Sequence, residues 1–162
     1  MSVEALFLDA SVAKLNQLTD RIAVCLGKLS VDQIWARGHE NENAVGNLVL
    51  HLDGNVRQWI VHGLGGKPDI RVRDTEFAAQ GGLTAEELAA RLRKTIGEAT
   101  AVLAGLTTDQ LTQNHEIQTR TVSGVVAVLS VVEHFAQHTG QIVYATKNMT
   151  HEDLAFFGPR PR

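Results

Sequence analysis

Apolar residues recur every three or four positions along four long stretches of the chain, and each stretch predicts an amphipathic helix. From Val3 to Leu29 the stripe is Leu8, Val12, Leu15, Ile22 and Leu29, with Leu18, Cys25 and Leu26 beside it. Asp9, Lys14, Gln17, Asp20, Arg21 and Lys28 fall largely off it, towards water. A second helix runs from Ala44 to about Leu64 on Val45, Leu48, Leu52, Val56 and Trp59, with Asn43 as its expected N-cap and Gly63, Gly65 and Gly66 ending it. The third opens on Thr84-Ala85-Glu86-Glu87, the spacing of a capping box, turns Leu88, Leu92, Ile96, Ala99 and Leu103 inward, and stops at Gly105. Ser123 caps the fourth, from Gly124 to about Lys147. Its first half carries Val125, Val126, Val128, Leu129, Val131, Val132 and Phe135 around most of the circumference, which predicts a central helix.

The connections are less regular. Ser30 to Gln33 has capping-box spacing and starts a short turn through Trp35, and a polar loop follows to Asn43. Gly65 to Gly82, with Pro68 and alternating charge, is too long for a tight turn. It is either a crossover, which makes helices two and three parallel, or a loop covering a site. Thr107 to Leu111 adds one turn, and His115 to Thr121 reads as an extended connector. The tail after Asn148, with Phe156, Phe157, Pro159 and Pro161, reads as a non-helical arm that packs back or meets a second subunit. These elements describe an all-α fold in one domain over residues 1–162.

Composition removes several function classes. The apolar share of 44% and charged share of 20% are those of an ordinary globular chain. A net charge of -3 argues against a nucleic-acid partner, which needs clustered cations. The densest basic groups, Arg71 with Arg73 and Arg160 with Arg162, read as solvated. The single Cys25 excludes an intrachain disulfide and suits a cytoplasmic protein, and it reads as a small buried apolar residue. The N-terminus lacks a basic region before an apolar stretch, so no signal peptide is expected. The longest apolar run, Gly124 to Val132, is too short to span a membrane.

The candidate chemistry sits in that fourth helix. His134 and His138 are four apart, so their side chains stack on one face and can converge on one cation or polar partner. His51 borders the buried face of helix two, with Asn47 and Asn55 one turn to either side. On that segment alone, a half-buried histidine bonded to one of those amides is the simpler reading. Brought together, the three imidazoles would suit a divalent metal, zinc or nickel, with iron or manganese as alternatives, and leave positions open for water or substrate. No Glu follows either His in the pattern of zinc proteases; Glu133 precedes His134 and should point about 100 degrees away. Gln141, one turn after His138, falls within reach either of the ligands from behind or of a substrate. No catalytic base stands out: Tyr144 and His62 are candidates, with packing the plainer role for Tyr144. Trp59 reads as a core or interface residue, with a pocket wall as the alternative, and His39 and His115 read as loop histidines.

The segments Asn47 to Asn55 and His134 to Gln141 resemble the two motifs of the DinB-like superfamily of metal-dependent enzymes, in helix order across nearly the whole chain, including the long connection and the Gly140-Gln141 pair. The resemblance implies a four-helix bundle in up-down-down-up order, a divalent-metal site of His51, His134 and His138, and a homodimer. It also implies a small-molecule substrate and an activity of the kind found in thiol-dependent S-transferases and isomerases, using a low-molecular-weight thiol, and it implies no DNA binding. The alternative is a non-catalytic metal-binding or dimerising protein, and behind it a metal-free helical adaptor.

Overall fold

A computed structural model describes residues 2–156 and 158, so Phe157 and the residues from Pro159 onward, including Arg160 and Arg162, lie outside the described set. The chain is mostly helical. Its order is α1 (Val3–Leu26), α2 (Val31–Trp35), α3 (Val45–Val56) continuing as a π-helical segment (Arg57–His62), α4 (Arg73–Ala78), α5 (Ala85–Ala104), α6 (Thr108–Thr112), β1 (Asn114–Ile117), β2 (Arg120–Ser123) and α7 (Gly124–Thr150).

Local chemistry sets most boundaries. Capping boxes start α2, α5 and α6: the hydroxyls of Ser30, Thr84 and Thr107 accept from the amides of Gln33, Glu87 and Gln110, whose side chains reach back to the cap amides. The Ser123 hydroxyl accepts from the Val126 amide at the start of α7. Asn43 does not cap α3. That helix begins after Ala44, whose amide donates to the Asn47 side chain at 3.1 Å, so the polar group serving the end lies inside the helix. The stretch expected to run as an extended connector folds back as a hairpin, with Asn114 opposite Ser123 and Ile117 opposite Arg120, and Gln118 in the left-handed region at φ 58.

The inward stripes are those of the periodicity. Leu8, Leu15, Leu18, Ile22 and Cys25 of α1, the five inward residues of α5, and Val128, Val131, Phe135 and Ile142 of α7 are all buried. Helix α1 packs on α5 and α7, and α3 packs on the same two. The central helix, however, is α3 rather than α7. Eleven of the twelve residues of α3 are buried, Asn47, His51 and Asp53 among them. The reason is its neighbours: α2 and α4 cover the sides that α5 and α7 leave. Val125, Val126 and Leu129 of α7 are exposed instead.

The polar residues of α3 are satisfied by the segments that cover it. Asn47 donates to the carbonyls of Glu76 and Ala79 and accepts from Arg37 at 2.9 Å, tying the chain around α4 to α3. Asp53 accepts from Arg91 and Thr95 of α5, and Arg57 donates to Thr95. None of the described side-chain N or O atoms that are fully buried lacks a partner.

Candidate metal centre

The three histidines come together. Helix α3 presents His51 and α7 presents His134 and His138 one turn apart; ring centroids are 5.0 Å (His51 to His134), 5.1 Å (His51 to His138) and 4.4 Å (His134 to His138). One nitrogen from each lies within 4.8 Å of the others, and His51 Nε2 is 2.9 Å from His134 Nε2. His51 is buried and the other two are half-buried.

The expected amide partner of His51 is absent. Its Nδ1 lies 3.0 Å from Glu76 Oε2. Glu76 is buried on α4 and forked by Arg71, with Nε to Oε1 at 2.7 Å and a terminal nitrogen to Oε2 at 2.8 Å. The same guanidinium is 3.1 Å from His51 Nδ1, but a charged carboxylate on that nitrogen favours the tautomer in which Nδ1 carries the proton. Nε2 then turns its lone pair towards the other histidines. His138 Nδ1 is held in the same way by Gln141 Oε1 at 2.6 Å, as the spacing suggested. A ligating imidazole fixed from behind by a carboxylate or amide oxygen is the usual arrangement in metal sites.

Glycine makes the Glu76 contact possible. A Cβ on Gly54, one turn after His51, would stand 1.9 Å from Glu76 Oε1 and 2.9 Å from Arg71 Nε, so the bare backbone is what admits this pair to α3. Glu76 and Arg71 are the functional residues that sequence reasoning missed. Arg71 is not a solvated charge: its side chain is 2% exposed.

The electrostatics favour the neutral form of His134 and His138. Burial, then the neighbouring His138 and His51 and the charges of Arg71 and Arg73, bring His134 down to about 4. Burial also lowers His138, against the Gln141 bond that raises it. Burial works to raise the Glu76 carboxyl, yet its bonds to Arg71 and His51 and the charge of Arg71 prevail and hold it below the usual carboxylate value. Neutral imidazole is the form that binds a metal.

Beside the triad lies a cleft of about 410 Å³, walled by His51, His134, Trp59 and Val131 and rimmed by polar and charged side chains. Trp59 is thus both a core and a cleft residue. The π-helical turn brings it there. Gly63 and Gly65 donate five residues back, to Gln58 and Ile60, so this segment turns less per residue than an α-helix and Trp59 swings round towards the His51 side. Glu133 also reaches this wall. The two candidate bases do not. Tyr144 is 70% exposed, not packed, and His62 Nδ1 lies 2.6 Å from the Lys67 carbonyl. His115, expected in a loop, lies on β1 with Nε2 near the Gln110 carbonyl.

A family described as "Protein of unknown function (DUF1572)" matches residues 2–158. No curated protein matches the chain. Among solved structures, a conserved protein of Enterococcus faecalis superposes with a TM-score of 0.72 at 17% identity, over 94% of this chain and 99% of that one. A DinB-like protein from Bacillus subtilis gives 0.70 at 19% identity over 94% and 99%, and another from Bacillus cereus gives 0.69 at 16% over 87% and 91%. At such identities the likeness is one of fold.

Proposed function

The chain belongs to the DUF1572 family and has the fold of DinB-like proteins, and on that premise we propose that it is a metal-dependent enzyme whose centre is His51, His134 and His138. One observation carries the reading: three imidazoles converge while Glu76 and Gln141 hold the rear nitrogens of two of them. The residues fit a divalent ion, zinc or nickel first and iron or manganese next, since borderline metals favour imidazole. Such an ion would supply Lewis acidity, favouring thiolate over thiol or hydroxide over water near neutral pH. The chain itself sets the tautomers, walls one side of the centre with Trp59 and Val131, and leaves a cleft for a small electrophile.

The reaction class is transfer to, or hydrolysis of, that electrophile. Thiol-dependent S-transfer is preferred on the DinB-like resemblance. The same reading takes residues 1–162 as one domain, a four-helix bundle of α1, α3, α5 and α7 in up-down-down-up order, acting as a cytoplasmic homodimer. The packing of α1 and of α3 on both α5 and α7 supports it. Among the described residues no helix is long and apolar enough to cross a membrane.

Metal analysis of protein purified without added metal tests the centre: His51→Ala and His138→Ala should each lose the ion, and unchanged content in both would refute it. Activity is then screened with low-molecular-weight thiols and model electrophiles. The exposed Val125, Val126 and Leu129 suit a dimer interface both in this reading and in a second one, a non-catalytic metal-binding or dimerising protein. A metal-loaded protein no faster than the metal-free one would select it.

A further inference from the structure

The rim of the cleft is charged in a way the chain as a whole is not. The protein carries a net charge of -3, yet three arginines, Arg71, Arg73 and Arg120, line this one cleft against a single carboxylate, Glu133. Arg71 is matched by Glu76. Arg73 and Arg120 are exposed, and among the described residues neither makes an ion pair; Arg73 is steadied instead by lying 4.9 Å over the Phe77 ring, which in turn packs 4.8 Å from His51. The two come from separate elements, α4 and β2, that converge on one opening. Gln118 and Gln137 add amide groups to the same rim, and Trp59 and Val131 form an apolar inner wall. Unmatched cations around a concave, partly apolar recess concentrate small anions there, because the low-dielectric wall focuses the field. The volume, about 410 Å³, is that of a small-molecule site.

We propose that this cleft is an anion subsite: it takes a small substrate bearing a carboxylate or a phosphate, with Arg73 and Arg120 on the anionic group and the other end of the molecule against His51 and His134. The placement of the reacting end rests on the catalytic reading above, whereas recognition of the anion does not. Gln118 and Gln137 each spend one amide N–H, on Gln58 and Glu133, and turn the second to the anion. Arg71 takes no part, since its nitrogens are engaged by Glu76 and Gln58. Glu133, the one carboxylate of the lining, opposes binding.

The test uses the full chain stripped of metal by a chelator, so that no anion can bind by coordination. Inorganic phosphate, succinate and the neutral succinamide are titrated by NMR, reading the Trp59 indole resonance, with Trp35 as the distant control. Phosphate or succinate should shift Trp59 saturably while succinamide does not, and the tighter of the two identifies the anion class. Arg73→Gln and Arg120→Gln should each weaken binding about tenfold, the size expected for one charged hydrogen bond. Glu133→Gln should tighten it, and Arg93→Gln, on an exposed site of α5 away from the cleft, should leave it unchanged. Equal binding of succinamide, no saturable shift with either anion, or equal losses in the Arg73, Arg120 and Arg93 variants would overturn the proposal. Failure of the metal reading is separately visible: metal content indifferent to His51→Ala with anion binding intact would remove the centre and leave the subsite.

Discussion

Replacing Gly54 by Ala isolates the contact on which the centre leans. The added Cβ would sit 1.9 Å from Glu76 Oε1 and 2.8 Å from its Cδ. Rotation of the carboxylate gives no relief, because Oε1 is taken by Arg71 Nε and Oε2 by Arg71 and His51. Glu76 must leave. Breaking a buried ion pair costs about 3–5 kcal/mol, and Gly to Ala inside a helix returns about 1 kcal/mol. The net loss is then about 2–4 kcal/mol, lowering Tm by about 4–16 °C for a chain of this size. Thermal unfolding with and without metal measures it. Gly97→Ala is the control: it lies in α5 with nothing within 4 Å of the added Cβ, and it should stabilise by about 0.5–1 kcal/mol. In a Glu76→Ala background the Gly54 substitution should lose most of its cost, since the clashing partner is gone. A Gly54→Ala protein as stable as wild type would refute the packing argument and the role given to Glu76 with it.

Three further outcomes follow from the same contacts. Glu76→Gln should weaken zinc binding about 10–100-fold, the usual effect of removing a carboxylate behind a ligating histidine, and equal affinity in a chelator competition would count against that role. His134 is neutral in the folded chain down to about 4 but takes a proton near 6.5 when unfolded, so its contribution is whole above pH 6.5 and is lost as pH falls from there towards 4. Discounted for the half-exposed ring, that is about 1–2 kcal/mol in metal-free protein. His134→Gln should flatten urea stability between pH 7 and 5, and unchanged slopes would refute this. Thr95→Val removes a buried hydroxyl that donates to Asp53 and accepts from Arg57, and it should cost about 1–3 kcal/mol by urea unfolding.

What the chain disclosed before folding, and what it hid, divides along physical lines. Helical period marks residues that share a face, so the stripes of α1 and α5 and the pairing of His134 with His138 were open to reading. Caps are local, and Ser30, Thr84 and Ser123 hold theirs. Period does not say what covers a face. The apolar first half of α7 suggested a central helix, whereas short segments that carry no stripe, α2 and α4, make α3 the covered one. Glu76 escaped for the same reason: within Gly65 to Gly82 it was one charge among several, and only the excess length of that connection hinted that it reached the site. Asn47 looked like a neighbour for His51 and instead fastens the covering segment. Trp59 was near the right face by count, and the π-helical turn, which leaves no mark in an apolar pattern, brings it onto the cleft.

The covering connection also gives the centre a history within each folding event. His51 and Glu76 are 25 residues apart, and His51 and His134 are 83 apart. Closing the larger loop costs about 1 kcal/mol more in chain entropy, taking the cost to grow with the logarithm of loop length. Arg71 and Glu76, five apart, can find each other before either meets α3. The back of the centre, His51 with its carboxylate, should therefore assemble ahead of its front, where α7 delivers the last two imidazoles. In stopped-flow experiments substitutions at Glu76 should chiefly slow folding, while those at His134 should chiefly speed unfolding, and the reverse pattern would overturn this order. A chain that folds in this sequence holds one imidazole already aimed before the others arrive.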